Sequence, residues 1–329
     1  MGCFFMTART LDDLGARFKM AEDLGYDIAG MPHIAGRDAM STLAMITPKL
    51  ERITTATGIV PIWMQTPVRF AQEAATIYEG TNGRFMAGIG VGHAPLVENW
   101  HGLPFRKPLA AMRDYLTIVR SALTTGMVSH DGEMYSAHFG FLGFTPQDVP
   151  ILVGGLGPKM LELTGELADG AILWMSSPHH VRDIVLPSLA AGAAISGRDP
   201  ETLDVFACMF AAPGADRASG RDAIRRQMLA YVQLPFYRNM LVASGFEADL
   251  DHFDQHIADG DLHEALAALS DRMIDEIAVT GSPEEVADTL RSFRDAGCTI
   301  PGVGVVGGYE GYEGPEASLR AIMTARELV

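Results

Sequence analysis

Two histidines follow short apolar runs broken by glycine: His33 in "GMPHIAGRD" and His93 in "GVGHAP". Imidazole titrates near neutrality, so each could donate or accept a proton in a reaction, or could simply serve as a loop residue with a structural hydrogen bond. Gly88, Gly90 and Gly92 precede and surround His93 and would let a flat ligand lie close to the chain. A third motif, "GGLGPKMLELTGELADG" (154–170), is a glycine turn leading into a helical pattern with Pro158 at its first position. Lys159 in that first turn opposes the helix dipole unless an anion lies between them, and free backbone N–H groups at a helix start make such a site. The turn is not a dinucleotide fingerprint: Gly155 and Gly157 fit its first two glycines, but Met160 stands where the third belongs. A phosphate-bearing ligand is the expectation; a solvated loop lysine is the bland alternative. His130, His138, His252, His256 and His263 read as solvated or structural, whereas His179 and His180 either line a pocket or begin a helix after Ser177 and Pro178. No cluster of His, Asp or Glu has a metal-binding rhythm, so no metal is expected.

The elements that must position these residues alternate along the whole chain. Strands are predicted at 2–6, 26–31, 53–61, 84–92, 149–155, 170–175, 203–210 and 301–308, several as nearly continuous apolar runs suited to a parallel sheet covered on both faces. Amphipathic helices lie between them. One is capped by Thr10; another opens with Ser282 and Pro283 and ends at Gly297. Eight such units predict a (β/α)₈ TIM barrel as one domain over 1–329, ahead of a doubly wound sheet with a helical appendage. The barrel rule places His33, His93 and the glycine turn at the C-terminal ends of strands two, four and five. Insertions are expected near 127–148, as a hairpin, and over 214–275, as extra helices; both are expected around the active-site mouth.

With 25 Lys plus Arg against 41 Asp plus Glu, the chain of 329 residues carries a net charge of −16. That balance argues against nucleic acid and anionic membranes as partners. No apolar run is long enough to span a bilayer, and the first residues lack the basic and apolar regions of a signal peptide. Three scattered cysteines, Cys3, Cys208 and Cys298, show neither disulfide nor metal spacing, so a reducing cytoplasm is expected.

The stretches "TATGIVP", "NGRFMAGIGVG", "GPKMLELTGELADG" and "VTGSPEEVADTLRSFRDAGC" give the chain its likeness. It resembles the luciferase-like monooxygenase superfamily, particularly the branch that uses coenzyme F420, a deazaflavin. The resemblance implies a barrel with insertions and a non-prolyl cis peptide at Gly58–Ile59 backing the cofactor ring. It also implies a phosphate turn at Gly157, Pro158, Lys159 and Met160, with Gly92 and Gly155 close to the cofactor. His33 matches the active-site histidine of the sugar-phosphate dehydrogenase members. His93 stands where those members carry a catalytic glutamate, and Arg37 where they carry a tryptophan. Both departures argue against sugar-phosphate oxidation, so the substrate is an unidentified small molecule. The implied reaction is hydride transfer to or from the deazaflavin, with His33 in the proton role and His93 assisting or touching ring or substrate. Trp63, Met64 and Trp174 would wall an apolar substrate cavity or pack the core. An FMN-dependent monooxygenase using reduced flavin and O₂ is the competing enzyme, and a non-catalytic flavin-binding protein the reading from another class. A homodimer is expected by analogy with family members.

Overall fold

The alternating pattern closes into a ring. In the computed structural model, which describes every residue except Thr7, Phe144 and Ala215, the ring strands are β1 (Gly2–Phe4), β2 (Ile28–Met31), β3 (Thr54–Thr57), β4 (Phe85–Gly90), β5 (Ile151–Gly154), β6 (Gly170–Trp174), β7 (Asp204–Pro213) and β8 (Ile300–Val305). Each pairs in parallel with its sequence neighbour, β8 returns to β1, and the ring is complete: an α/β TIM barrel. All eight predicted runs are these strands.

Two runs differ in outline. The predicted strand 53–61 divides at a cis peptide between Gly58 and Ile59, and its second piece, Val60–Pro61, pairs separately with β4. A short strand, Ala278–Gly281, has no counterpart in the sequence reading. It takes the flank of β7 that β6 leaves: β6 pairs with Asp204–Cys208, and the extra strand with Phe210–Pro213. Four residues ending a helical stretch carry too little periodicity to be seen beforehand.

The helix ends follow their sequence signals. The Thr10 side chain accepts from the Asp13 N–H at the start of helix Leu11–Asp23. Ser282 and Glu285 form a full capping box at helix Pro283–Asp295.

Inside the ring two phenylalanines fill the volume left by glycines on neighbouring strands. Phe206 occupies the space where side chains of Gly2 and Gly302 would lie; Phe4 does the same for Gly30 and Gly58. Their ring centroids are 5.5 Å apart. This packed plug is the floor on which anything bound at the strands' C-terminal ends must rest.

The two insertions lie at different ends of the ring. The first forms the expected hairpin, Met127–Asp131 with Ser136–Gly140, but it follows a helix and precedes β5, which roots it at the N-terminal end of the barrel. Its tip is tied along the outside by Asp114, which accepts from the N–H groups of Met134 (2.6 Å) and Tyr135 (3.2 Å) and pairs with His130 Nε2 (2.9 Å). The second follows β7, at the C-terminal end, and comprises helices Arg217–Met228, Pro235–Ala243, Glu247–Ala258, Leu262–Ala268 and Asp271–Ile277. These bury a second core, including Ile224, Phe246, Leu250, Phe253 and Ile274, which also takes in Phe210 and Ala212 of β7.

Candidate active site

A cavity of about 450 Å³ opens at the C-terminal ends of the strands. His33 and His93 both line it, together with Gly58, Ile59, Met64, Gly92, Gly155 and Trp174. The sequence reading thus brings eight of its candidates into one cavity.

The floor is set by the backbone near Gly58. Where β3 departs from β4, the Thr57 hydroxyl replaces the lost ladder, donating to the Gly88 carbonyl and accepting from the Gly88 N–H, both at 2.8 Å. Gly58 N–H donates to the Met31 carbonyl, and the Ile59 carbonyl accepts from His33 N–H at 3.2 Å. The segment is therefore fixed between β2 and β4, and one of its bonds also fixes the backbone of His33. These contacts correct the expectation for two glycines. A Cβ on Gly88 would run into the Thr57 carbonyl, and one on Gly90 would meet the Ile59 side chain at 2.9 Å. They are small to admit the protein's own backbone and Ile59 rather than a ligand.

His33 is about four-fifths buried, and its Nδ1 lies at the start of helix Ala39–Ile46. It is 3.3 Å from the Ala39 N–H, a donor, and 3.4 Å from Asp38 Oδ2, an acceptor. The two partners suit different protonation states: a bare Nδ1 accepts from Ala39, and a protonated one donates to Asp38. Asp38 is itself held as the helix cap, its Oδ1 accepting from Ser41 N–H at 2.7 Å. Either way Nδ1 is engaged at the helix start.

His93 begins helix Ala94–His101 without a side-chain cap bond. Its ring packs against Tyr237 and Phe236, at 5.4 and 6.2 Å between centroids. Burial among these rings lowers its pKa below the usual histidine value, which favours the neutral imidazole.

The glycine turn lies beside the cavity. Gly155 and Leu156 line it; Gly157 is the cap position of helix Pro158–Leu167 and has no side-chain cap bond. Pro158 and Lys159 are exposed, and Met160 packs back over Gly155. The helix is locked in place by a close crossing with helix Leu186–Ser196: a side chain on Gly165 would strike the Leu189 carbonyl, and one on Gly192 the Glu162 carbonyl. The cradle fits an anion: an uncapped helix start, open space at Gly157, and a lysine with no carboxylate partner among the described residues.

Other placements depart from expectation. Arg37 is not in the cavity wall; its guanidinium clamps the carbonyls of Ala8 (2.8 Å) and Arg9 (2.9 Å) and so fixes the loop after β1. Trp63 is turned away as well, its Nε1 donating to the Val91 carbonyl at 2.7 Å and its ring packed on Phe105. Neither His179 nor His180 lines the cavity. His179 is exposed beside Asp183, whereas His180 is buried with neither ring nitrogen in a well-formed hydrogen bond. Burial takes the pKa of His180 down to about 4, against slight support from the Leu156 carbonyl. The hairpin at 127–148 contributes nothing to the wall among the described residues, because a segment that follows a helix enters from the opposite end of the ring. The insertion after β7 does contribute, through Ala230, Tyr231, Leu234, Phe236 and Tyr237. The aromatic cluster in "YVQLPFYRNM" was the available signal for these residues, but ring residues at helical spacing read equally well as core.

A family model for luciferase-like monooxygenases matches residues 2–299. The 5,10-methylenetetrahydromethanopterin reductase of Archaeoglobus fulgidus is 29% identical over 287 residues, covering 85% of this chain and 86% of that one. Among solved structures, the coenzyme F420 dependent tetrahydromethanopterin reductase from Methanopyrus kandleri superposes with a TM-score of 0.83 at 22% identity, over 99% of this chain and 97% of that one. The FMN-bound oxygenating constituent of 3,6-diketocamphane monooxygenase from Pseudomonas putida superposes with a TM-score of 0.69 at 17% identity, over 99% and 97%. The chain belongs to the luciferase-like monooxygenase family.

Proposed function

We propose that this family member is an oxidoreductase that transfers a hydride between coenzyme F420 and a small organic substrate, with His33 as its proton donor or acceptor. The observation that carries the reading is the pairing of two differently prepared histidines in one largely apolar cavity. A deazaflavin bound there would supply the hydride chemistry. Its phosphate would sit at the start of helix Pro158–Leu167, near Gly157 and Lys159, and its ring over Gly58 and Ile59. His33 would hold or release the compensating proton at Nε2. A proton on both ring nitrogens is accommodated because Asp38 faces Nδ1. His93, its neutral form favoured by burial, orients a bound polar group by hydrogen bonding rather than by charge. Two mouth histidines in these states favour turnover over passive flavin carriage. A homodimer in a reducing cytoplasm belongs to the same reading, consistent with three free, buried cysteines.

Fluorescence titration with coenzyme F420 and with FMN tests the cofactor. We expect tight binding of the deazaflavin; tight binding of FMN and none of F420 overturns the reading in favour of the flavin monooxygenase. His33→Ala is expected to keep F420 affinity while lowering kcat about 10²–10⁴-fold. Unchanged turnover would remove His33 from the mechanism.

A further inference from the structure

The cavity wall has a chemical bias. Among its described residues there is no Asp, Glu, Lys or Arg. The ionisable groups are His33, His93, His101, Tyr231, Tyr237 and Cys208, and burial acts to keep several of these neutral: it lowers His93 and raises Tyr231, Tyr237 and Cys208. A charged substrate group would be desolvated here with no permanently charged side chain in the wall to pair it. The rim repeats the bias. Met6, Ile34, Trp100 and Phe236 are 42%, 41%, 55% and 41% exposed, and all four line the cavity. Large apolar side chains left in water around an opening mark a binding surface rather than a packing remainder.

The polar atom of Trp174 is closed off from the cavity. The Nε1–H of Trp174 is buried and has no well-formed hydrogen bond. The Tyr231 hydroxyl is close enough to feel the indole but is not placed as a proper acceptor. With Nε1 out of reach of the cavity, the ring presents only an apolar surface to it. Trp174 is held edge-on to Phe210, with centroids 4.7 Å apart, and its far edge lies over Gly304, so the ring cannot readily turn elsewhere.

We infer that the substrate is an uncharged, largely apolar molecule enclosed by the aromatic wall of the insertion. This rests on the proposed reading of the cavity as the active site, and goes beyond it by naming the substrate class and the selecting residues. It turns away acids and phosphate esters of the same shape.

Calorimetric titration of the full chain, prepared without coenzyme, tests the inference independently of the cofactor. The probes are 4-methylacetophenone and its near-isostere 4-acetylbenzoate. The ketone is expected to bind at least tenfold more tightly than the carboxylate. Phe236→Lys, at the exposed rim, should bring the carboxylate up by tenfold or more. Equal or tighter binding of the carboxylate by the unaltered chain overturns the inference, as does failure of both probes to bind. A chain that binds the ketone but refuses F420 defeats the cofactor reading alone; one that binds F420 but prefers the carboxylate defeats the substrate class alone.

Discussion

The barrel ring and the insertion after β7 face the same cavity but build it by different means. The ring offers backbone and two histidines: Gly58, Gly90 and Gly154 are crowded by Phe4 or Ile59, and the His33 backbone is bonded to Ile59. The insertion offers side chains, with Tyr231 on the turn after helix Arg217–Met228 and Phe236 and Tyr237 on helix Pro235–Ala243, beside a second core. The ring is tied by a closed ladder of strands. The insertion is tied by arginines at 217, 221 and 225, one per helical turn, which reach Asp271, Asp275 and Glu285. The difference teaches that the groups suited to proton transfer and those suited to choosing a substrate come from different parts of the fold.

The strongest way to break that comparison is to empty the insertion's core. Phe253 is fully buried there, and Phe253→Ala should cost about 3–5 kcal/mol through lost burial and the cavity left behind. If the two regions are separable, hydrogen exchange will show protection falling across 217–277 while β1–β5 keep theirs. Equal loss in both regions would make them one cooperative unit. Next comes Gly88→Ala, whose new methyl collides with the Thr57 carbonyl and should cost about 2–3 kcal/mol. Here the damage belongs to the ring. Because Thr57 also holds Gly88 through two bonds, the floor beside Gly58 should shift, and F420 affinity should fall more than it does in Phe253→Ala.

These contrasts also explain what the sequence could disclose. Each ring strand is a compact apolar run and each helix end a local signal, so Thr10, Ser282 and all eight strands were readable from neighbours in the chain. His33 and His93 were readable for the same reason, because the barrel rule converts "after a strand" into "at the mouth". Contacts between distant segments were not. Arg37 looked like a pocket residue because nothing local reveals that its guanidinium reaches Ala8 and Arg9. Trp63 is alike, its indole committed to Val91 across the bulge. Tyr231 lies in a turn between two helices and Tyr237 on the second of them, and packing across the insertion decides where both point. The hairpin at 127–148 was placed at the mouth by its length alone, although following a helix puts its root at the other end.

A smaller effect is expected at the ring's far end, where Glu22 anchors the approach to β3. One carboxylate oxygen accepts from the N–H groups of Glu51, Arg52 and Ile53 at 2.9, 2.7 and 3.0 Å. Burial alone would raise this acid, but the three donors, with Lys19 beside them, hold its pKa down to about 2. A depressed carboxyl contributes stability above its unfolded value, near 4.3, and that contribution is lost as pH falls through about 2. Glu22→Gln should therefore cost about 2 kcal/mol at neutral pH and flatten the acid limb of a stability curve between pH 4.5 and 2. Ketone affinity should not move. A change there would tie the ring's base to the insertion's wall.

The mildest test acts on the tether itself. Arg221 is 16% exposed and forks onto Asp275 through Nε (2.9 Å) and Nη2 (2.5 Å), with Nη1 on Asp271 at 2.8 Å. Methionine keeps most of the aliphatic stem and removes the fork. Asp275 retains Arg217 at 3.1 Å and Asp271 retains Arg225, so no carboxylate is stranded. The loss in Arg221→Met should be about 1 kcal/mol, and the unaltered chain should converge on the variant as salt is raised. Because the tether holds the wall and not the proton groups, KM for a neutral ketone should rise while kcat stays within about twofold. A fall in kcat with KM unchanged would mean that the insertion positions His93, which packs on Tyr237 and Phe236, and that selection and chemistry share one support.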